Sequence, residues 1–207
     1  MNLQKKTINK KKGKFFYPLL NDPFNKQDLL EGIKVILSKQ MTMSEKTVNF
    51  EKIFKKKIKV KNSLMVNSGS SANLLAMQCL INPYRKVGLK RGDEVLIPAL
   101  CWSTSLWPIV QSGLKPIFVD INISDLNMNL NDLEKKITRK TKAIMLIHVL
   151  SNSTNMDRLL KLKKKYNLII IEDTCESLGS KYKNKYLGTF GDFSTFSFYY
   201  SRQITSG

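Results

Sequence analysis

The run LIIIEDTCES, residues 168–177, is apolar for four residues and then turns acidic and polar. Three successive isoleucines favour an extended strand, because a side chain branched at Cβ crowds a helix and packs well on a pleated surface. A strand that is apolar at odd and even positions alike has no wet face, which is the pattern of a strand buried in a parallel sheet covered on both sides. Glu172 and Asp173 stand at its carboxyl end, where ionised carboxylates need partners.

Outward from this run the chain is rhythmic. Short apolar runs recur at 63–66 (SLMV), 94–97 (EVLI), 116–119 (PIFV), 143–147 (AIMLI) and 194–199 (STFSFY). Helical patterns fill the gaps at 70–80, 103–112, 131–137 and 155–165, after two leading helices at about 26–39 and 44–57. Strands alternating with helices predict a three-layer α/β/α fold with a mostly parallel sheet. Ligands of such sheets bind at the carboxyl ends of the strands, so the polar residues just after each run are the candidates for function.

SLMV is followed by Asn67-Ser68-Gly69-Ser70-Ser71-Ala72-Asn73. Small residues at a strand-to-helix turn expose backbone N–H groups at the positive end of a helix, which suits a phosphate. A simple capped turn explains the same residues equally well. EVLIP is followed by Cys101-Trp102-Ser103, where Trp102 is either a plate over a planar ligand or, the commoner fate of a lone Trp, packed against the sheet edge. Asp173 suits a cationic heterocycle nitrogen or a structural cap, and Ser197 is placed to add a hydroxyl to an anion. In this order the features describe a site for pyridoxal phosphate: phosphate at a helix start, aromatic plate over the ring, carboxylate on the pyridine nitrogen.

Composition narrows the alternatives. The chain has 207 residues, enough for one large domain, and a formal charge of +19 from 35 Lys and Arg against 16 Asp and Glu. The basic runs KKTINKKKGK, FKKKIKVK at 54–61 and KLKKKY at 161–166 contain little Arg and no interleaved stacking aromatics. They read as solvated faces rather than a specific nucleic-acid surface, though an anionic small molecule would be welcome there. Residues 1–15 read as a basic flexible tail, with residues 16–207 forming the domain. No apolar run is long enough to cross a bilayer, and FFYPLL is too short for a signal-peptide core, so a cytoplasmic protein is expected. Cys79, Cys101 and Cys175 read as reduced thiols, and one histidine, His148, leaves no material for a metal cluster.

The segments NSGSSANLL, GDEVLIPALCWSTS, GLKPIFVDI, LNMNLNDLEKKIT, TKAIMLIHVLSNSTNMD, IIIEDTCESLG and GTFGDFSTFSFYYS, taken in order, resemble the DegT/StrS-type sugar aminotransferase/dehydratase family. That resemblance implies the large domain of the aspartate-aminotransferase fold, dependent on pyridoxal or pyridoxamine phosphate. It implies action on nucleotide-linked keto-deoxysugars of lipopolysaccharide and O-antigen biosynthesis, in a homodimer. The likeness is greatest to the 4-keto-6-deoxyhexose 3-dehydratases, with sugar aminotransferases as the same-fold alternative. By position, Gly69, Ser70 and Ser71 take the cofactor phosphate with Ser197, Trp102 the ring and Asp173 its nitrogen. Glu176 falls where the aminotransferases have Gln beside the ring oxygen.

Arg202 departs from the pattern. It occupies the family's Schiff-base position, where the aminotransferases have Lys and the 3-dehydratases His. A guanidinium remains protonated and is a poor nucleophile, so a non-covalently held cofactor is expected. The family's chains also continue past this point with a further strand and a small domain, so the sequence reads as the N-terminal part of such a protein. A catalytically inactive remnant or binding subunit is the reading from another class; a basic nucleic-acid-binding protein is opposed by the motif order.

Overall fold

The structure is a computed structural model and describes residues 24–86, 88–202 and 204; the basic tail expected at 1–15 lies outside them. Helices α1 (Lys26–Ser38) and α2 (Glu45–Ile58) lead in, and α3 (Gly69–Ile81) opens the alternating part. Then follow β1 (Glu94–Pro98), α4 (Ser103–Gln111), β2 (Lys115–Val119), α5 (Leu130–Lys136), β3 (Thr141–Ile147), α6 (Met156–Tyr166) and β4 (Ile169–Asp173). A hairpin of β5 (Lys181–Tyr182) and β6 (Lys185–Tyr186) precedes β7 (Phe193–Thr195).

Five strands form one parallel sheet in the order β2-β1-β3-β4-β7. Strand pleating sends alternate side chains to opposite faces, and each face has its own core. Val95, Ile97, Ala143, Met145 and Ile171 pack with Met77 and Leu80 of α3 and Ile109 of α4. Leu96, Ile144, Leu146 and Ile170 pack on the other side with Leu133 of α5 and Leu159 of α6. The three layers expected from the sequence are therefore present, and both faces of β1, β3 and β4 are dry.

The helices begin where side chains satisfy their first N–H groups. Asn25 and Asp28 form a capping box at α1, Ser68 caps α3 through Ser71 N–H, Asn129 caps α5, and Asn155 caps α6 through Arg158 N–H.

Two expectations shift. The run 63–66 forms no strand, because its polar groups turn to α2 instead: Met65 N–H donates to Glu51 Oε1 at 2.7 Å and Ser63 Oγ to the Glu51 carbonyl at 2.6 Å. The last strand stops at Thr195, opposite Asp173, because β4 ends there and leaves nothing to pair with. Beyond it the FSF residues alternate without a ladder. Phe196 and Phe198 meet Phe54 edge-on at 5.0 and 5.8 Å, and Phe198 meets Phe50 at 5.1 Å. Ser197, between them, faces the other way, towards Gly69.

The hairpin was not anticipated. Its turn residues Lys183 and Asn184 both have positive φ (46° and 65°), as the tight two-residue turn between twisted strands requires.

Candidate cofactor site

Asp173 ends β4 on the face covered by α3 and α4, and its carboxylate is held from three directions. Oδ2 accepts from Asn73 Nδ2 at 2.9 Å and from Ser105 Oγ at 2.7 Å; Oδ1 accepts from Cys175 N–H at 3.1 Å. Asn73 is itself fixed, since its Oδ1 accepts from Thr195 Oγ1 at 2.6 Å. Residues of α3, α4 and β7 thus converge on one buried carboxylate.

Glu172 has a different role because it points to the opposite face. It is fully buried and accepts from Gly188 N–H at 2.8 Å and Phe190 N–H at 2.7 Å, with His148 Nε2 at 2.9 Å. Burial raises its carboxyl, but His148 and the N–H groups of Gly191 and Gly188 outweigh burial and hold it below the ordinary Glu range. Glu172 therefore ties the 188–191 loop to the sheet. Gly188 is required there, with φ at +85° and a Cβ position only 2.4 Å from the Phe196 ring.

At the start of α3, Ser71 N–H is taken by the Ser68 cap at 3.1 Å. Among the described residues the N–H groups of Gly69 and Ser70 have no acceptor. The turn is thus capped and still presents two donors at the positive end of a thirteen-residue helix. A Cβ on Gly69 would lie 3.0 Å from Cys175 Sγ and 3.1 Å from Ser197 Cβ, so the absence of a side chain lets this turn close on β7. Ser197 Oγ accepts from Tyr199 N–H at 3.3 Å and retains its own proton to donate.

Trp102 immediately precedes α4, one turn before Ser105, and is 71% exposed. It is not packed against the sheet edge. Burial first, and then the Asp173 charge, push the Cys175 and Cys101 thiols up, so neither is a thiolate nucleophile. Among the described residues no group of three or more His, Cys, Asp or Glu is placed to hold a metal ion.

Arg202 and Glu176 meet at the rim, Nη1 to Oε1 at 3.3 Å, both partly buried. Glu176 also accepts from Leu150 N–H at 3.3 Å, and its carbonyl accepts from Ser151 Oγ at 2.9 Å. Leu150 and Ser151 have φ of 50° and 66°, a strained backbone for side-chain-bearing residues, so Glu176 secures a tight turn at the end of β3. Among the described residues no acceptor meets the buried Arg202 Nε.

Trp102, Asp173 and Ser197 thus follow or end strands β1, β4 and β7, and Gly69 and Ser70 open α3 beside them; Ser71, expected to offer its N–H to the phosphate as well, does not, because the Ser68 cap takes it. Sequence reasoning passed over Asn73 and Ser105, the residues that hold Asp173. Their signal in the sequence is weak: each is one of several polar residues in the first turns of its helix, three or four residues after a proposed ligand contact.

The family model of the DegT/DnrJ/EryC1/StrS aminotransferase family matches residues 24–207. The chain belongs to that family. Among DegT-family relatives, GDP-4-keto-6-deoxy-D-mannose 3-dehydratase of Escherichia coli O55:H7 is 40% identical over 190 residues, covering 92% of this chain and 49% of that protein. GDP-perosamine synthase of Escherichia coli O157:H7 is 42% identical over 158 residues, 76% of this chain and 42% of the relative. The solved structure of the E. coli 3-dehydratase with bound hydrated PLP superposes with a TM-score of 0.88 at 39% identity, over 92% of this chain and 49% of that one. The Helicobacter pylori aminotransferase PseC, involved in the biosynthesis of pseudoaminic acid, superposes with a TM-score of 0.80 at 30% identity, over 88% and 47%. The chain spans about half the length of the curated DegT-family relatives it matches.

Proposed function

We propose that this chain is the cofactor-binding part of a PLP- or PMP-dependent enzyme that modifies a nucleotide-linked keto-deoxysugar, with chemistry nearest the 3-dehydratases. The observation that carries the reading is Asp173: a carboxylate buried at the end of β4 and held there by Asn73 of α3 and Ser105 of α4, beside the open start of α3. The donor set fits the group. Gly69 and Ser70 N–H, with the hydroxyls of Ser71 and Ser197, take the phosphate; Trp102 covers the ring; Asp173 accepts from the pyridine N–H. When bound, the cofactor supplies an electron sink for a substrate carbanion.

The chain's own residues set how the group is held. Arg202 carries its proton permanently and is paired with Glu176, so it neither links the cofactor covalently nor removes a proton from substrate. It acts as a fixed cation at the rim, its buried Nε available to an acceptor on cofactor or substrate. Glu176 holds both Arg202 and the strained turn at Leu150, the place where the aminotransferases have a neutral Gln. The Arg and the Glu thus compensate one another in charge. A sugar aminotransferase is the runner-up, favoured by the likeness to GDP-perosamine synthase but opposed by the absence of Lys at 202. Homodimer formation belongs to the proposal as well, supported by the apolar residues Leu29, Ile33, Ile36 and Leu37 of α1, which are all exposed.

Titrating the protein with PLP and following the cofactor's absorbance tests the reading. Saturable binding that Asp173→Asn weakens, with no cofactor fixed to the chain by borohydride, is the expected result. No spectral change at millimolar PLP overturns it.

A further inference from the structure

The lysines of the basic run at 54–61 have no part in the site described above, and neither has the hairpin; the fold brings them together. The last turn of α2 and the β5–β6 hairpin flank an open surface cavity of about 650 Å³ lined by the exposed Lys56, Lys57, Lys59, Lys181 and Lys185, with Tyr186 among the remaining walls. No carboxylate lines it. Among the described residues none of these five lysines forms an ion pair, in contrast to Lys183 at the hairpin tip, which is paired with Asp157.

Part of this charge has a local reason. Lysines in the last turn of α2 complement the negative end of that helix. That accounts for Lys56 and Lys57 but not for two further lysines from a segment more than a hundred residues away facing the same space. Five like charges around one concavity repel one another and focus a positive potential inside it. Lysine presents a compact charge with three donors and no fork, so the cluster suits several separate anionic oxygens rather than one planar carboxylate.

We infer that this cavity binds a small ligand carrying adjacent phosphate groups. Its volume lies within the range of small-molecule sites, roughly 300–1,000 Å³. Nucleic acid fits less well, because stacking surfaces are taken: Lys181 Nζ lies 4.7 Å over the Tyr186 ring and Lys185 Nζ 4.4 Å over Phe190. The shared chemistry is the diphosphate group, whether free or on a nucleoside. The inference does not depend on the cofactor reading.

Calorimetric titration of the protein with pyrophosphate tests it, with sulfate at matched ionic strength as the comparison. The expected result is saturable one-to-one binding, at least about tenfold tighter than sulfate and weakening as salt rises. The double variant Lys56→Gln/Lys59→Gln should weaken it about tenfold or more, whereas Lys183→Gln at the hairpin tip, a lysine outside the cavity and paired with Asp157, should leave it unchanged. These two lysines are exposed and line no core, so the variant is expected to fold, which its circular dichroism checks. Guanosine diphosphate distinguishes the source: tighter binding than pyrophosphate assigns a nucleoside diphosphate, equal binding a free phosphate chain. Three outcomes overturn the inference: no preference over sulfate, displacement of pyrophosphate by PLP, or binding of a DNA duplex more tightly than either phosphate ligand.

Discussion

Arg202, proposed to stand at the family's Schiff-base position, is paired with Glu176, Nη1 to Oε1 at 3.3 Å. Arg202→Lys restores an amine at that position. We expect PLP then to become fixed to the chain by borohydride, read as a mass increase of the intact protein; absence of labelling would remove residue 202 from contact with the cofactor. Glu172 makes a stability prediction. Its folded carboxyl is held below the ordinary value, so the unfolded chain takes up the proton first. The stabilisation is therefore complete above the unfolded Glu pKa of about 4.3 and is lost as pH falls through the lower folded value. Glu172→Gln should cost about 3 kcal/mol at pH 7, since an amide nitrogen then faces the Gly188 or Phe190 N–H. Urea unfolding at pH 7 and pH 4 should show the difference between variant and parent shrinking at the lower pH.

The FSF segment joins β7 to α2. Period-two alternation turns Phe196 and Phe198 to the α2 phenylalanines and Ser197 to Gly69. The hydroxyl offered to the phosphate is thus positioned by apolar packing on the opposite side of the backbone. Phe54→Ala should destabilise the protein by about 2 kcal/mol and also weaken PLP binding, although Phe54 is not among the residues assigned to the cofactor. A stability loss with unchanged PLP affinity would show that Ser197 is held from elsewhere. The start of α3 has a comparable division of labour. Ser68 caps the helix, so Ser68→Ala should cost about 1 kcal/mol in urea unfolding.

Taken whole, the residues proposed for the cofactor follow the carboxyl ends of separate strands of one sheet, Trp102 after β1, Asp173 at the end of β4 and Ser197 after β7. The α1 helix lies off this assembly, and none of its residues is buried. Exposed leucines and isoleucines on one capped helix need a covering surface, and a second copy of the protein is the one proposed. Sedimentation velocity should show concentration-dependent dimerisation, reduced by Ile33→Lys; a monomer at all concentrations would remove the dimer from the proposal. No helix among the described residues is long and apolar enough to cross a membrane.

The elements that repeat on both faces of the sheet were legible in the chain itself. A run apolar at every position, such as LIII, has no wet face, and four of the short apolar runs (94–97, 116–119, 143–147 and 168–171) fall on the parallel strands of the sheet. Asp173 stood out as a carboxylate at the end of such a run, whereas the run before Gly69 forms no strand at all. What surrounds them was not legible. That 63–66 would give its hydrogen bonds to Glu51 rather than to a neighbouring strand depends on a partner fourteen residues back along the chain and on its orientation. That Asn73, Ser105 and Thr195 would combine around Asp173 depends on three elements meeting, with separations of up to 122 residues. The gathering of two lysine runs around one cavity has the same origin. Periodicity records which face of an element is dry, and packing alone selects which polar and charged groups are brought within reach of one another.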